Sequence, residues 1–428
     1  MKRVLIITYY WPPSGGSGVQ RWLYFSKYLR KYGWEPVIFT VSNGEYPYLD
    51  EGLQKHVPEN LEVIRRPVWE PYSWYKLLSG HKGKVDPTIM AENKKGSLMK
   101  KLLLWVRGNV FIPDARMFWI VPSIKYLSAY LQAHPVDLIV STGPPHSAQL
   151  IARKLKRRLR IPWLADFRDP WTQIYFFDQL KLSGPAKWMH KRLEASVLRE
   201  ADRVVTVSRE CQTGLEQCSG RPVEVITNGY EPFELPEIRK QDDKWIMLYS
   251  GVLSLDRNPS VFWKSLETFL ERHPVYKDRF ELQLIGNIDK AIVDQLRVGG
   301  LKDHFQFMPS MPHAKLQHYL ARADLLLMIG VPHHKGVITG KFFEYLFLRK
   351  PIVSISPDGS DVEPILEETG SGDHADFEDA DRQGLILENA FLQLQHGNLR
   401  SKADKIGPYS RESLTGQMAA LFDALMKP

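Results

Sequence analysis

Lys341 and Glu344 stand three residues apart behind the glycine-bearing turn Gly336-Val337-Ile338-Thr339-Gly340, with an apolar run from Leu325 to Ile329 ahead and another from Ile352 to Ser356 beyond. Read as strand, turn, helix start and strand, this layout builds an anion site. The first amides of a helix lack intrahelical acceptors, the positive end of the helix dipole lies behind them, and a lysine in the first turn adds a full charge. Such a terminus receives a phosphate or diphosphate. Glu344 falls one turn further in on the same face as Lys341, where a carboxylate can accept hydrogen bonds from the vicinal hydroxyls of a ribose. The plainer reading is an ordinary loop and helix with a solvated lysine and a locally bonded glutamate. A Walker loop fits poorly. It needs four residues between glycine and Gly-Lys, then Ser or Thr for magnesium, whereas three residues separate Gly336 from Gly340 and Phe342 follows the lysine.

In open α/β sheets ligands gather at the carboxyl ends of the strands, so residues just after each apolar run are the next candidates. After the first run comes Trp11-Pro12-Pro13-Ser14-Gly15-Gly16-Ser17-Gly18-Val19-Gln20-Arg21. Its glycine spacing is wrong for a dinucleotide fingerprint, and no acid ends the second strand at Phe39-Thr40-Val41, which disfavours an NAD enzyme. Gly16 and Gly18 still allow backbone to approach a sugar or phosphate. His146 follows Thr142-Gly143-Pro144-Pro145, and the block Asp166-Phe167-Arg168-Asp169-Pro170-Trp171 follows the next run. His146, Asp166, Arg168 and Asp169 can therefore share one cleft edge, although a histidine at a helix start is commonly a cap and an arginine between two aspartates commonly a structural ion pair. In the second half Gly251 precedes Asp256-Arg257-Asn258-Pro259, and Gly286 and Asn287 end a strand in the same manner. Arg257 is a plausible second phosphate ligand, because a guanidinium suits bidentate contact.

The elements that must position these residues alternate throughout: short apolar strands, then longer amphipathic stretches, as in βαβ units with parallel sheets. The first half offers strands at Val4 to Thr8, Pro36 to Thr40, Leu61 to Ile64, Asp137 to Ser141, Trp163 to Asp166, Arg203 to Val207 and Val223 to Ile226. The second restarts with Trp245 to Ser250, Glu281 to Ile285, Phe305 to Phe307, Leu325 to Ile329 and Ile352 to Ser356. A chain of 428 residues exceeds what one core usually serves. The expectation is two tandem Rossmann-like α/β domains, with residues 1–230 as the first, a polar, proline-containing linker at 231–244, residues 245–405 as the second, and a final helix within 406–428. That helix runs from Arg411 to Met426, with Leu414, Met418, Leu421, Phe422 and Leu425 as its apolar positions.

Composition narrows the class. At 43% hydrophobic and 25% charged the chain reads as an ordinary globular protein, and no apolar run approaches the length that spans a bilayer. The amino terminus reads as a buried strand rather than a signal peptide. Cys211 and Cys218 offer neither a disulfide framework nor a zinc set, so a cytoplasmic location is expected. Residues 1–240 carry a net +13 and the remainder −5, which makes up the overall +8. The basic half should meet something anionic. No nucleic-acid module is recognisable, so an anionic membrane surface is the better partner. Between Glu92 and Asp114 lie Lys94, Lys95, Lys100, Lys101 and Arg107 without an acid. On a helix, Leu98, Met99, Leu102, Leu103, Trp105 and Val106 fall on one arc and the last three of those cations on the other. Residues 94–107 thus read as an interfacial helix docking on the inner membrane face, or equally as a domain helix with solvated lysines. Each cation near an anionic leaflet contributes roughly 1 kcal/mol, enough for reversible docking.

Taken in order, these pieces resemble the glycosyltransferases of the GT-B fold, and specifically family 4, whose members are retaining and use nucleotide sugars. The carriers are the Tyr10 to Gly18 turn, the Asp166 to Trp171 block, Ala201-Asp202-Arg203-Val204-Val205-Thr206-Val207-Ser208, Ile226-Thr227-Asn228-Gly229-Tyr230, Ala323-Asp324-Leu325-Leu326-Leu327, and Lys341-Phe342-Phe343-Glu344-Tyr345-Leu346 before Lys350-Pro351-Ile352-Val353. The resemblance implies two domains facing each other across a cleft, with the final helix crossing back to the first. It implies a nucleotide-sugar donor on the second domain, with Glu344 on the ribose, the backbone of Val337, Ile338, Thr339 and Gly340 on sugar hydroxyls and phosphate, and Arg257 and Lys341 neutralising the leaving diphosphate. A glycan or lipid-linked acceptor belongs on the first domain, in cell-surface polysaccharide or glycolipid synthesis. Asp166 or Asp169 contacts the donor sugar or acceptor hydroxyl, and no cofactor or metal is required. The chain departs from the family pattern twice. Gly336 stands where a further glutamate often lies near the reacting sugar, and Val252 stands where an arginine often follows the strand glycine. These departures keep open a catalytically silent scaffold, and a nucleotide-sugar epimerase, which shares the fold but needs no acceptor, is the other alternative.

Overall fold

The computed structural model describes residues 1–46, 49–70, 105–174, 177, 180–236, 244–395 and 405–427. Residues 94–104 of the basic stretch and residues 237–243 of the expected linker lie outside them. Two compact units emerge, Met1–Thr227 with Arg411–Pro428, and Asn228–Ser410.

The first unit is built on seven strands: β1 (Lys2–Ile7), β2 (Trp34–Val41), β3 (Glu62–Arg66), β4 (Leu138–Gly143), β5 (Trp163–Phe167), β6 (Arg203–Thr206) and β7 (Glu224–Val225). They pair in the order β3-β2-β1-β4-β5-β6-β7, every pair parallel. Because helices cover both faces, β4 and β5 are buried throughout and β1 from Val4 to Ile7. The strand order reverses between β1 and β4, the place where such sheets open a crevice at their carboxyl edge. Helices α1 (Ser17–Leu29), α2 (Ile120–Ala133), α3 (Ser147–Leu159), α4 (Gly184–Glu200) and α5 (Arg209–Ser219) lead between the strands.

The second unit repeats the scheme with β8 (Trp245–Leu253), β9 (Phe280–Ile288), β10 (Phe305–Met308), β11 (Leu325–Ile329), β12 (Ile352–Ile355) and β13 (Gly372–Ala375), ordered β10-β9-β8-β11-β12-β13 and again parallel. Its helices include α6 (Ser260–Arg272), α7 (Lys290–Val298), α8 (His313–Arg322), α9 (Gly340–Leu348), α10 (Glu363–Thr369) and α11 (Ala380–Gln395). The reversal here falls between β8 and β11. Ile406 is buried in this unit's core, and the Tyr230 amide donates to the Tyr409 carbonyl at 3.1 Å. Residues 228–230 and 406–410 therefore pack with the second sheet.

The last helix, α12 (Arg411–Leu425), belongs to the first unit. Leu414, Met418 and Phe422 enter a core shared with Trp22, Phe25 and Trp34, with Phe422 edge-on to Trp34 at 5.2 Å. Asp423 fastens the end, accepting from the Lys2 ammonium at 2.7 Å and the Trp34 indole at 3.2 Å. Truncating a fully buried aromatic leaves both a lost transfer term and a cavity. Phe422→Ala should thus destabilise the first unit by about 3–5 kcal/mol, read as a lowered urea midpoint of its unfolding transition.

Candidate functional site

The second unit gathers its charged candidates at the β8/β11 reversal. After β8 the chain enters a short turn whose Arg257 reaches across to β11, where its Nε donates to the Gly330 carbonyl at 3.1 Å and its Nη2 to the Ile329 carbonyl at 2.8 Å. Lys341, in the first turn of α9, reaches the opposite way and donates from Nζ to the Ser250 carbonyl near the end of β8 at 2.8 Å. Each cation is thus rooted beyond one strand and tethered to the other. Among the described residues Nη1 of Arg257 has no hydrogen-bond partner. The Lys341 ammonium is held down to a pKa of about 8 by burial and by Arg257, against the pull of Glu344.

Two glycines make room for that ammonium. Gly251 and Gly286 are register partners on β8 and β9, with φ of 149° and 138°, a region that side chains avoid. A Cβ on Gly251 would stand 2.0 Å from Lys341 Nζ, and one on Gly286 would stand 2.0 Å from the Gly251 carbonyl oxygen. Gly286, expected at the donor, instead packs against Gly251 and lets the β8 end close over. Tyr345, one turn beyond Lys341, receives the Ser250 amide at its hydroxyl at 3.1 Å, and its hydroxyl is pushed up from the usual phenol range mainly by burial. Spacing singled out Gly251 as a strand-ending glycine but gave no role to Ser250 or Tyr345.

Thr339 is extended at the amino-terminal cap of α9 without a side-chain cap bond; its carbonyl takes the Phe342 amide at 3.1 Å, and among the described residues the Gly340 and Lys341 amides remain available. Val337 and Ile338 lead into this turn half-buried, and Gly340 opens the helix. Glu344 lies 18% exposed, 2.6 Å from Nε2 of His313 at the start of α8. Sequence reading missed this partner, since 31 residues separate the two.

On the first unit, β4–β5 pairing sets Thr142 opposite Asp166 and Gly143 opposite Phe167, which brings His146 beside the Asp166 block as expected. The two aspartates then part. Asp166 is fully buried, ion-paired with the buried Arg21 at 3.0 Å and receiving the Trp22 indole at 2.7 Å and the Thr142 hydroxyl at 2.8 Å. It ties α1 to β4 and β5. Its expected role as a group touching sugar or acceptor is corrected accordingly, because a carboxylate with no exposed surface and a full set of donors reaches no ligand. Asp169, 39% exposed, pairs with Arg168 at 2.5 Å and keeps a surface. Gly16 sits at φ 102° before α1. Gly18 gives its space to the Arg168 guanidinium, whose Nη1 would lie 1.8 Å from a Cβ there, so the close approach is made by this arginine rather than by a ligand. The His146 ring stacks on Trp171 at 4.6 Å and is pushed down to a pKa of about 3 by burial, His190 and Arg168, which keeps it neutral near pH 7. The helix start behind it is capped by Asp114, which accepts from the Ser147 amide at 2.9 Å.

Among the described residues no three or more His, Cys, Asp or Glu side chains gather as metal ligands, and no helix is long and apolar enough to cross a membrane.

Two doubly wound parallel sheets, the second with two cations crossed at its switch point, define a class of two-domain α/β protein. Comparison narrows this. Residues 15–229 match the family described as Glycosyl transferase 4-like domain, half of the chain, and the chain belongs to that family of glycosyltransferases. It is 23% identical over 300 residues to a probable glycosyltransferase, WbjE, of Pseudomonas aeruginosa, covering 67% of this chain and 72% of that protein. The fold is similar to that of Anabaena HepE solved with UDP, with a TM-score of 0.63, 14% identity and coverage of 99% and 100% of the two chains. It is also similar to sucrose-phosphate synthase from Thermosynechococcus elongatus, at 0.59, 16%, 100% and 99%. The expected GT-B class of two parallel-sheet α/β domains therefore stands.

The two aspartates should separate experimentally. Asp166→Ala leaves Arg21 buried and unpaired and should cost about 3–5 kcal/mol of stability. Asp169→Asn, at a partly exposed pair, should cost less stability than that while lowering glycosyl transfer, as thermal melts beside initial rates would report.

Proposed function

We propose that this glycosyltransferase takes its sugar from a nucleoside-diphosphate sugar and passes it, with retained configuration, to a glycan or lipid-linked acceptor in cell-surface polysaccharide or glycolipid synthesis. The observation that carries the donor half is the pair of crossed cations, Lys341 and Arg257, at the switch point beside the open amides of α9. As the bond from the anomeric carbon to the diphosphate oxygen breaks, its electron pair stays on that oxygen, and preorganised donors stabilise the growing charge. Lys341 and Arg257 supply those donors here, with Glu344 on the ribose. The likeness to HepE, whose structure holds UDP, supports a nucleoside diphosphate as leaving group. Retention and the acceptor class rest on the family resemblance. Asp169, with His146 and Arg168 beside it, is the carboxylate left to meet the donor sugar or acceptor. A cytoplasmic enzyme in contact with an anionic membrane through residues 94–107 completes the reading. The family match favours neither a silent scaffold nor an epimerase.

Titration calorimetry with nucleoside diphosphates tests the donor site. Wild type should bind one of them, and Lys341→Ala or Arg257→Ala should weaken it roughly 10- to 150-fold, the loss of a charge-assisted hydrogen bond. If no nucleoside diphosphate binds wild type, the reading fails. The pH dependence carries a definite sign. Binding a diphosphate favours the charged lysine, and free Lys341 loses its proton as pH rises through about 8. Affinity should hold below that pH and then fall by up to about tenfold per unit above it, a decline that Lys341→Arg removes.

With two protein cations to neutralise the leaving group, turnover should also survive exhaustive treatment with a chelator. Loss of activity restored by a divalent cation would overturn the metal-free reading.

A further inference from the structure

Away from the strand ends, the flank where α3 meets α4 holds a cavity of about 340 Å³ lined by Arg153, Arg157, Arg192, Arg199, Ser196 and Glu200, with Met189 and Leu193 at its apolar side. Helical spacing aims these residues at one place: Arg153 and Arg157 lie four apart on α3, and Trp188, Arg192, Ser196 and Glu200 repeat every four on α4. Four guanidinium groups thus share the cavity with one carboxylate. Glu200 answers Arg157, with both contacts at 2.6 Å, and Arg153 donates to the Ser196 hydroxyl. Arg192 lies over the exposed Trp188 ring at 5.0 Å. Among the described residues neither Arg192 nor Arg199 has a hydrogen-bond or ion-pair partner for its guanidinium.

Helix-dipole chemistry accounts for only part of this. Arg157 and Arg199 occupy the last turns of α3 and α4, where cations stabilise the open carbonyls. Arg153 and Arg192 lie too far inside their helices for that, since the effect fades beyond the last turn. Burial and the neighbouring Arg157 hold the Arg153 guanidinium below its usual pKa, against Glu200. A concave surface with this excess of planar donors is short of an anion. Guanidinium forks match phosphate oxygens bidentately.

We propose that the α3–α4 cavity is a phosphate-binding site, separate from the diphosphate grip of the second unit, that takes a phosphate ester from an acidic lipid headgroup or inorganic phosphate from solution. Trp188, 56% exposed, and Met189, 39% exposed, stand beside it and give the lipid source an apolar neighbour, as in surfaces that combine cations with an aromatic at the headgroup level.

The test uses the full chain and two probes: vesicles of phosphatidylcholine with or without phosphatidylglycerol, by cosedimentation, and inorganic phosphate, by calorimetry. Arg192→Gln/Arg199→Gln removes two cations without breaking an ion pair, so the fold should hold. With about 1 kcal/mol per basic residue at an anionic leaflet, this variant should bind phosphatidylglycerol vesicles roughly 30-fold more weakly. Lys55→Gln/Lys125→Gln removes the same charge from exposed positions elsewhere in the unit and should change little. Vesicle binding that depends on the two arginines supports the lipid source; saturable phosphate binding that depends on them supports the free one. Equal binding of wild type and the arginine variant to both probes overturns the proposal, as does absence of binding to either or an equal loss in the lysine control. Neither probe needs a sugar donor, and nucleoside-diphosphate affinity should be unchanged in the arginine variant, so this inference and the transfer reading fail separately.

Discussion

The second unit depends on keeping a lysine ammonium charged while burying it at the mouth of a parallel sheet. Lys341 has one hydrogen bond, to the Ser250 carbonyl, and Arg257 stands close enough to oppose its charge. Desolvation and like charge both act against the protonated form. A diphosphate would offset both by bringing negative charge beside the ammonium. Several local choices serve that arrangement. Gly251 and Gly286 adopt positive φ so that the β8 end clears the ammonium, Tyr345 holds the Ser250 amide in place, and Arg257 is fixed by two carbonyls of the neighbouring strand end. The site is preorganised by backbone carbonyls rather than by carboxylates, which leaves the cations unneutralised and receptive to an anion.

The first unit handles charge the opposite way at its own switch point. Arg21 and Asp166 are buried together and saturated: the guanidinium also donates to the carbonyls of Ile226 and Thr227 at 2.9 and 3.0 Å, and the carboxylate accepts from Trp22 and Thr142 as well. Such a pair adds little net stability relative to apolar packing but is costly to break from one side. Its effect is positional. It sets the angle at which α1 leaves the glycine turn, and so places Gly16, Gly18 and Arg168. The α3–α4 cavity holds one part of this unit's basic excess, with Arg192 and Arg199 exposed there.

Much of the architecture was legible in the chain, and some of it was not. All twelve anticipated strands form; the central ones are legible because strands buried on both faces are rich in apolar residues, while β3, β7 and β10 are short and only partly buried. The thirteenth, Gly372–Ala375, is a polar four-residue edge strand that carries no such signal. The apolar spacing of α12 gave its buried face, and the Gly340-Lys341 turn gave the start of α9. Asp166 and Asp169, by contrast, look alike in sequence. One ends up wholly buried and the other at the surface because Asp166 still lies within β5, facing α1, while Asp169 lies past the strand end.

What the sequence determined by itself was the order and type of the elements and the identity of the charged groups at their ends, since both follow from local periodicity and from which backbone amides a helix leaves open. Tertiary structure alone decided which carbonyl receives Lys341, that His313 meets Glu344, that Gly18 yields to Arg168, and that four arginines converge. Those pairings join positions up to 150 residues apart. Strand pairing and helix packing bring them together, and spacing along the chain encodes no distance between separate elements.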